Sequence, residues 1–180
     1  MNKRIFNGFV IVLALAFILI LSKPNILSLI TGGIIVFLGQ GVRVWSGGHL
    51  MRNKEITTSG PYAYLRDPFY LGRMLLIIGF CVMAWGYAWI ILIIALGVFF
   101  ANYIPRKYRK EMTRLENIFG QDYKDYASYT HSLIPRHKPY PKAKNRPWSF
   151  ELFLKENQEH YFVMGTLIFA SALIIRFLFF

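Results

Sequence analysis

The 180-residue chain is poor in cysteine and in charge. Its single cysteine, Cys81, lies inside an apolar run, which excludes an internal disulfide and leaves the redox compartment open. Only 17% of residues are charged, against 55% hydrophobic, a balance that a soluble domain of this length does not usually carry. Acidic residues are the scarcer sign, 9 against 21 Lys and Arg, giving a formal net charge of +12. Most of the basic residues stand between apolar runs, where they can face an anionic cytoplasmic leaflet. No aromatic-basic groove or nucleic-acid motif accompanies them, so no nucleic-acid partner is expected. Four histidines offer little to a metal: His131 and His137 are six apart and His49 and His160 lie far off, so none is expected.

Long apolar runs are what the chain has in quantity. Residues 5–22 nearly reach the ~20 needed to cross a bilayer core. Lys3 and Arg4 resemble a signal-peptide start, but the run is long and Ser22-Lys23-Pro24-Asn25 is a poor cleavage site, so it reads as a retained span. Residues 26–45 return across the membrane, with Gly32, Gly33, Gly39 and Gly41 allowing close helix approach. Residues 69–104 are too long for one crossing. The "AWGYAW" stretch from Ala84 to Trp89 splits them into spans 69–84 and 87–104, and residues 161–179 form the last. The Lys/Arg excess then puts the N-terminus, the 49–67 loop and residues 105–155 on the cytoplasmic side. The fold expected is all-α: a polytopic integral membrane protein, one domain over residues 1–180, with about five transmembrane helices and a cytoplasmic helical cofactor-binding segment.

Two polar segments carry the chemistry. In "GPYAYLRDPFYLG", Gly60 to Gly72, Asp67 before Pro68 suits a helix start, the carboxylate capping free backbone amides and proline filling the first helical position. Tyr62, Tyr64 and Tyr70 suit the headgroup level equally well. In the second segment, from Arg106, Glu111, Leu115, Ile118 and Phe119 share a helix face that Gly120 can end. Lys107 and Glu111 are i,i+4 neighbours, so a surface ion pair is the plain reading of Glu111. Tyr123 and Tyr126 follow at i,i+3 and read as packing residues. Residues 136–158 read as a basic, proline-broken interfacial loop, with an amphipathic helix from Ser149 leading into the last span.

Together the two segments resemble the signature of the isoprenylcysteine carboxyl methyltransferase and phospholipid methyltransferase superfamily. Its pattern is Arg-His-Pro-x-Tyr-x-Gly, a hydrophobic hairpin, then a Glu-Glu pair followed by "L…FG..Y..Y" and a closing proline. Here stand Arg66-Asp67-Pro68-Phe69-Tyr70-Leu71-Gly72, the hairpin, then Glu111-Met112, Leu115, Phe119-Gly120, Tyr123, Tyr126 and Pro135, within a signature region of residues 47–135. Asp67 replaces the motif histidine, Met112 the second glutamate, and Ser132 an arginine before the closing proline, with His131 and Arg136 nearby as substitutes.

The resemblance implies an S-adenosylmethionine-dependent methyltransferase acting at the cytoplasmic membrane face, in a bacterial inner membrane. Its acceptor would be a lipid or other lipophilic small molecule: a lipid amine, a prenylcysteine-like carboxylate or a small apolar compound. The cofactor-binding residues carried over are Tyr62, Arg66, Asp67, Pro68, Tyr70, Gly72, Glu111 and His131. Glu111 and Arg109 are the catalytic candidates. For an amine acceptor Glu111, Glu116 or His49 can serve as base, while Arg109 and Arg114 also suit lipid-facing or ion-paired roles. Two rivals stand beside this reading: an NADPH-dependent membrane reductase with a related helical core, and a non-catalytic lipid-binding scaffold.

Overall fold

The computed structural model describes residue 13, residues 15–106 and residues 110–179, with backbone only for 102–106. Arg109, Lys107 and half of the first apolar run lie outside the described residues. The described elements are helical, and no strand occurs among them. Helical residues 15–21 (α1) lead into α2 (Ile26–Gly47), α3 (Pro68–Ala84), α4 (Ala88–Arg106), α5 (Met112–Tyr129) and α6 (Glu159–Phe179). A 3-10 turn covers Gly60–Ala63 and a π-helical turn Leu152–Glu156.

Helix α2 starts on a capping box, because Asn25 can reach forward and Ser28 back. The Ser28 amide donates to Asn25 Oδ1 and the Asn25 amide to Ser28 Oγ, both at 2.9 Å. Helices α2 and α6 are long and apolar enough to cross a membrane. Helix α3 is shorter: its 17 residues rise about 26 Å, less than a bilayer core of about 30 Å. The five expected spans are therefore matched at full length by two helices among the described residues. The hairpin turn falls where the aromatic-flanked glycine stands, with Trp85 and Gly86 both left-handed at φ 51° and 61°.

Helices α2 and α3 form the closest pair, and glycine is the reason. A Cβ on Gly32 would come within 2.4 Å of the Met83 amide, and one on Gly39 within 3.0 Å of the Gly72 carbonyl. From the other side, Gly79 meets the Gly32 carbonyl and Gly72 the Gly39 carbonyl at 3.0 and 2.9 Å. The two pairs sit seven residues apart on each helix, two turns of one seam. Gly33 and Gly41 meet nothing within 4 Å, so two of the four expected glycines make the approach.

Residues 130–149 return antiparallel along the 48–67 loop as a strap. Amides of Arg66 and Asp67 donate to the carbonyls of His131 and Ser132 at 2.9 and 3.1 Å. Arg136 and Tyr140 amides reach the carbonyls of Tyr64 and Ala63, Lys144 reaches Thr58 Oγ1, and Ser149 reaches the Gly48 carbonyl. Glu55 takes ion pairs from Lys144 and Arg146, and their charge holds its carboxyl below the usual range although burial works against it. The amphipathic helix expected after Ser149 shrinks to the π-helical turn, which Gln158 at φ 54° separates from α6.

Candidate functional site

A cavity of about 790 Å³ opens where the starts of α3, α5 and α6 meet the end of α2 and the 50–57 loop. Its volume lies within the range of ligand sites, about 300–1,000 Å³. Six of the eight cofactor-binding residues expected from sequence line it: Tyr62, Arg66, Asp67, Pro68, Tyr70 and Glu111. The hairpin α3–α4 carries the chain out and back, bringing Glu111 to the wall that holds Arg66. Gly72 and His131 stand outside that lining. Gly72 is buried in the α2–α3 seam, where a Cβ would meet Arg43 Cγ at 2.6 Å. The His131 side chain is exposed, and its carbonyl holds the Arg66 amide. Of the three bases considered, Glu111 lines the cavity, whereas Glu116 and His49 do not.

The start of α3 differs from a side-chain cap. The Tyr70 and Leu71 amides close on the Asp67 carbonyl at 3.0 and 3.3 Å, and the Asp67 carboxylate makes no capping bond. Backbone serves the helix start, which frees the carboxylate for other partners. It accepts from Ser132 Oγ at 2.5 Å and from Arg66 Nε at 3.5 Å. Arg66 also reaches the Ala127 carbonyl at 3.3 Å, tying the motif to α5.

On the α5 side, Gly120 does break the helix, at φ 57° and ψ −130°, but helix resumes at once. Across the bend, Leu115, Phe119, Tyr123 and Tyr126 all line the cavity, the two tyrosines only 2% and 3% exposed. Tyr126 donates to the Tyr62 carbonyl at 2.7 Å and packs edge-on against Tyr140 of the strap at 5.3 Å. Tyr62 itself is 5% exposed, and its hydroxyl is buried with no hydrogen-bond partner. Burial, with Tyr126 and Asp67 adding to it, pushes the Tyr62 phenol well above its usual value, so it stays a donor.

Sequence reasoning missed Arg43, Arg73 and Glu159, all on the cavity wall. Arg43 is 2% exposed, and its Nη2 donates to both oxygens of Glu159 at 2.7 and 2.8 Å. The available signal was an arginine inside an apolar span, which is costly and marks function by default. In all, five arginines (43, 52, 66, 73, 114) and four carboxylates (Glu55, Asp67, Glu111, Glu159) face the cavity.

Both charge signs, tyrosine faces and a buried unpaired hydroxyl suit a zwitterionic ligand that also carries an aromatic ring. No group of His, Cys, Asp and Glu fit to hold a metal occurs among the described residues. Two apolar helices long enough to cross a membrane, with a polar cavity at their ends, suit a membrane-associated ligand-binding protein. The family model for phospholipid methyltransferases matches residues 27–122, more than half of the chain, and the chain belongs to that family. No curated protein and no solved structure matches it significantly.

Proposed function

We propose that the protein transfers a methyl group from S-adenosylmethionine to a lipophilic acceptor at the cytoplasmic face of a membrane. The observation that carries this is the meeting of both signature halves, Arg66 to Tyr70 and Glu111, on one cavity at the ends of apolar helices. When bound, the cofactor supplies an electrophilic methyl group on a sulfonium centre.

Asp67 and Glu111 are the carboxylates suited to its ammonium group, and Arg66 and Arg114 the cations suited to its carboxylate. The rings of Tyr70 and Phe119 offer apolar faces to adenine or the sulfonium. Glu111, half-buried at the start of α5, is the base for an amine acceptor. An acceptor that is already an anion needs only positioning and a dry pocket.

In this reading the shorter α3 and α4 also cross, with local bilayer thinning or oligomerisation meeting the shortfall. Five spans put the N-terminus and the cavity in the cytoplasm, and the setting is a bacterial inner membrane. Residues 136–158 then lie at the headgroup level.

The test is a calorimetric titration of the detergent-purified chain with S-adenosylhomocysteine, with NADPH run in parallel. The expected result is micromolar binding of S-adenosylhomocysteine, lost in a folded Glu111→Ala variant. A folded chain that binds only NADPH would turn the assignment to a reductase; binding neither would leave a scaffold.

A further inference from the structure

Arg43 is expensive to bury, and Glu159 satisfies only part of it. Its guanidinium is wedged against the Phe162 ring at 3.7 Å and 5.3 Å from that of Phe69. Gly72 leaves room for the stem, since a Cβ there would strike Arg43 Cγ. Both contacts to Glu159 come from one nitrogen, Nη2. The other two, Nε and Nη1, are buried with no partner. Leaving donors unpaired away from water is unfavourable, more so on a charged group. The Tyr62 hydroxyl is a further buried donor without an acceptor, and it shares the cavity with Arg43. Arg73 lines the same cavity and adds its positive charge near Arg43, whose one contacting carboxylate is Glu159. Phe162 is 44% exposed and begins an apolar helix, so apolar surface adjoins the donors.

We propose that Arg43, together with the Tyr62 hydroxyl, is the recognition site for an anionic oxygen group, phosphate or carboxylate, on a membrane-held acceptor. The proposal rests on the methyltransferase reading for the word acceptor, but the anion site follows from the unpaired donors. Glu159 sets the strength of the site. It holds the guanidinium in place and offsets its charge, so that an anion can bind and leave.

The experiment uses the full chain in a neutral detergent, titrated with dodecyl phosphate, dodecanoate and inorganic phosphate, and separately with S-adenosylhomocysteine. Three proteins are compared: the unaltered chain, Glu159→Gln, and the double variant Arg43→Gln/Glu159→Gln, which removes both charges together. Dodecyl phosphate or dodecanoate is expected to bind the unaltered chain. Binding should tighten about tenfold in Glu159→Gln, where Arg43 loses its counter-charge, and vanish in the double variant. S-adenosylhomocysteine binding should stay within about twofold throughout, because the two ligands use different arginines.

A purely structural ion pair gives the opposite result: Glu159→Gln lowers stability without tightening anion binding, and the double variant binds the amphiphile as the unaltered chain does. Inorganic phosphate binding as tightly as dodecyl phosphate overturns the membrane-held acceptor and leaves a free-anion site. Parallel loss of S-adenosylhomocysteine in the double variant also overturns the proposal, assigning Arg43 to the cofactor's own carboxylate. Absence of S-adenosylhomocysteine binding to the unaltered chain would defeat the methyltransferase reading, while Arg43-dependent dodecyl phosphate binding would still support the anion site. Should Glu159→Gln fail to fold, Arg43→Lys replaces it. That variant keeps the charge but loses the fork, and amphiphile affinity should fall about tenfold with S-adenosylhomocysteine binding retained.

Discussion

Ser132 Oγ donates to the carboxylate of Asp67 at 2.5 Å, joining two residues 65 positions apart. These are two of the three places where the chain departs from the family pattern it resembles, and they face each other. An arginine in place of Ser132 would bring a positive charge to the carboxylate; serine brings a neutral donor. With Arg66 Nε at 3.5 Å, the Asp67 carboxylate is held in position on the cavity wall.

Asp67→Asn keeps an acceptor for Ser132 while removing the charge. The expected outcome is a thermal unfolding midpoint corresponding to less than about 1.5 kcal/mol of change, the net worth of one hydrogen bond. S-adenosylhomocysteine affinity should nevertheless fall about tenfold if the carboxylate meets the ligand ammonium. Calorimetry and a melting curve on the same preparation separate these effects. A large stability loss with unchanged affinity would make Asp67 purely structural.

Glycine substitutions in α2 and α3 have a built-in control. Gly72→Ala and Gly39→Ala push a methyl group into backbone across the seam and should each cost about 1–3 kcal/mol. Gly41→Ala and Gly33→Ala point into open space and should be neutral, or stabilising by up to about 1 kcal/mol through helix propensity. Thermal unfolding of the four variants in one detergent checks the contrast.

The His49 imidazole is 4% exposed, lies 3.1 Å from Ser59 Oγ and packs on Gly60, whose φ of 58° brings the backbone close. Burial, reinforced by the charge of Arg146, pushes its pKa below the usual 6.5. The folded state therefore binds the proton less readily than the unfolded one. Its contribution is fully present above pH 6.5 and is lost as pH falls from there towards the lowered folded value. Melting midpoints measured from pH 8 to about 5 should drop on the acid side. In His49→Gln the drop should be shallower, and an identical slope would remove His49 as the cause.

Glu111→Gln removes the proposed base but keeps its shape and hydrogen-bonding capacity. With an amine acceptor, methyl transfer should fall by about two orders of magnitude or more, while the melting midpoint stays nearly unchanged. With an anionic acceptor the loss should be much smaller, confined to cofactor binding. The size of the loss in a methyl-transfer assay thus reports the acceptor's chemistry.

Local chemistry made much of the fold legible. Apolar length marked the helices, Pro68 marked the start of α3, and "AWGYAW" marked the hairpin turn, because each acts through neighbouring residues. That Arg66 and Glu111 meet on one cavity follows from order alone, since a helical hairpin must return the chain to the side it left. Sequence alone could not tell which glycines face a partner helix, nor that Asp67 leaves its cap to backbone and turns to Ser132. It did not reveal that Arg43 meets Glu159 across 116 residues. Those outcomes depend on where side chains point once helices pack, and burial makes that direction decisive: a charge at the α2–α6 contact must find a partner there, whatever its neighbours in sequence.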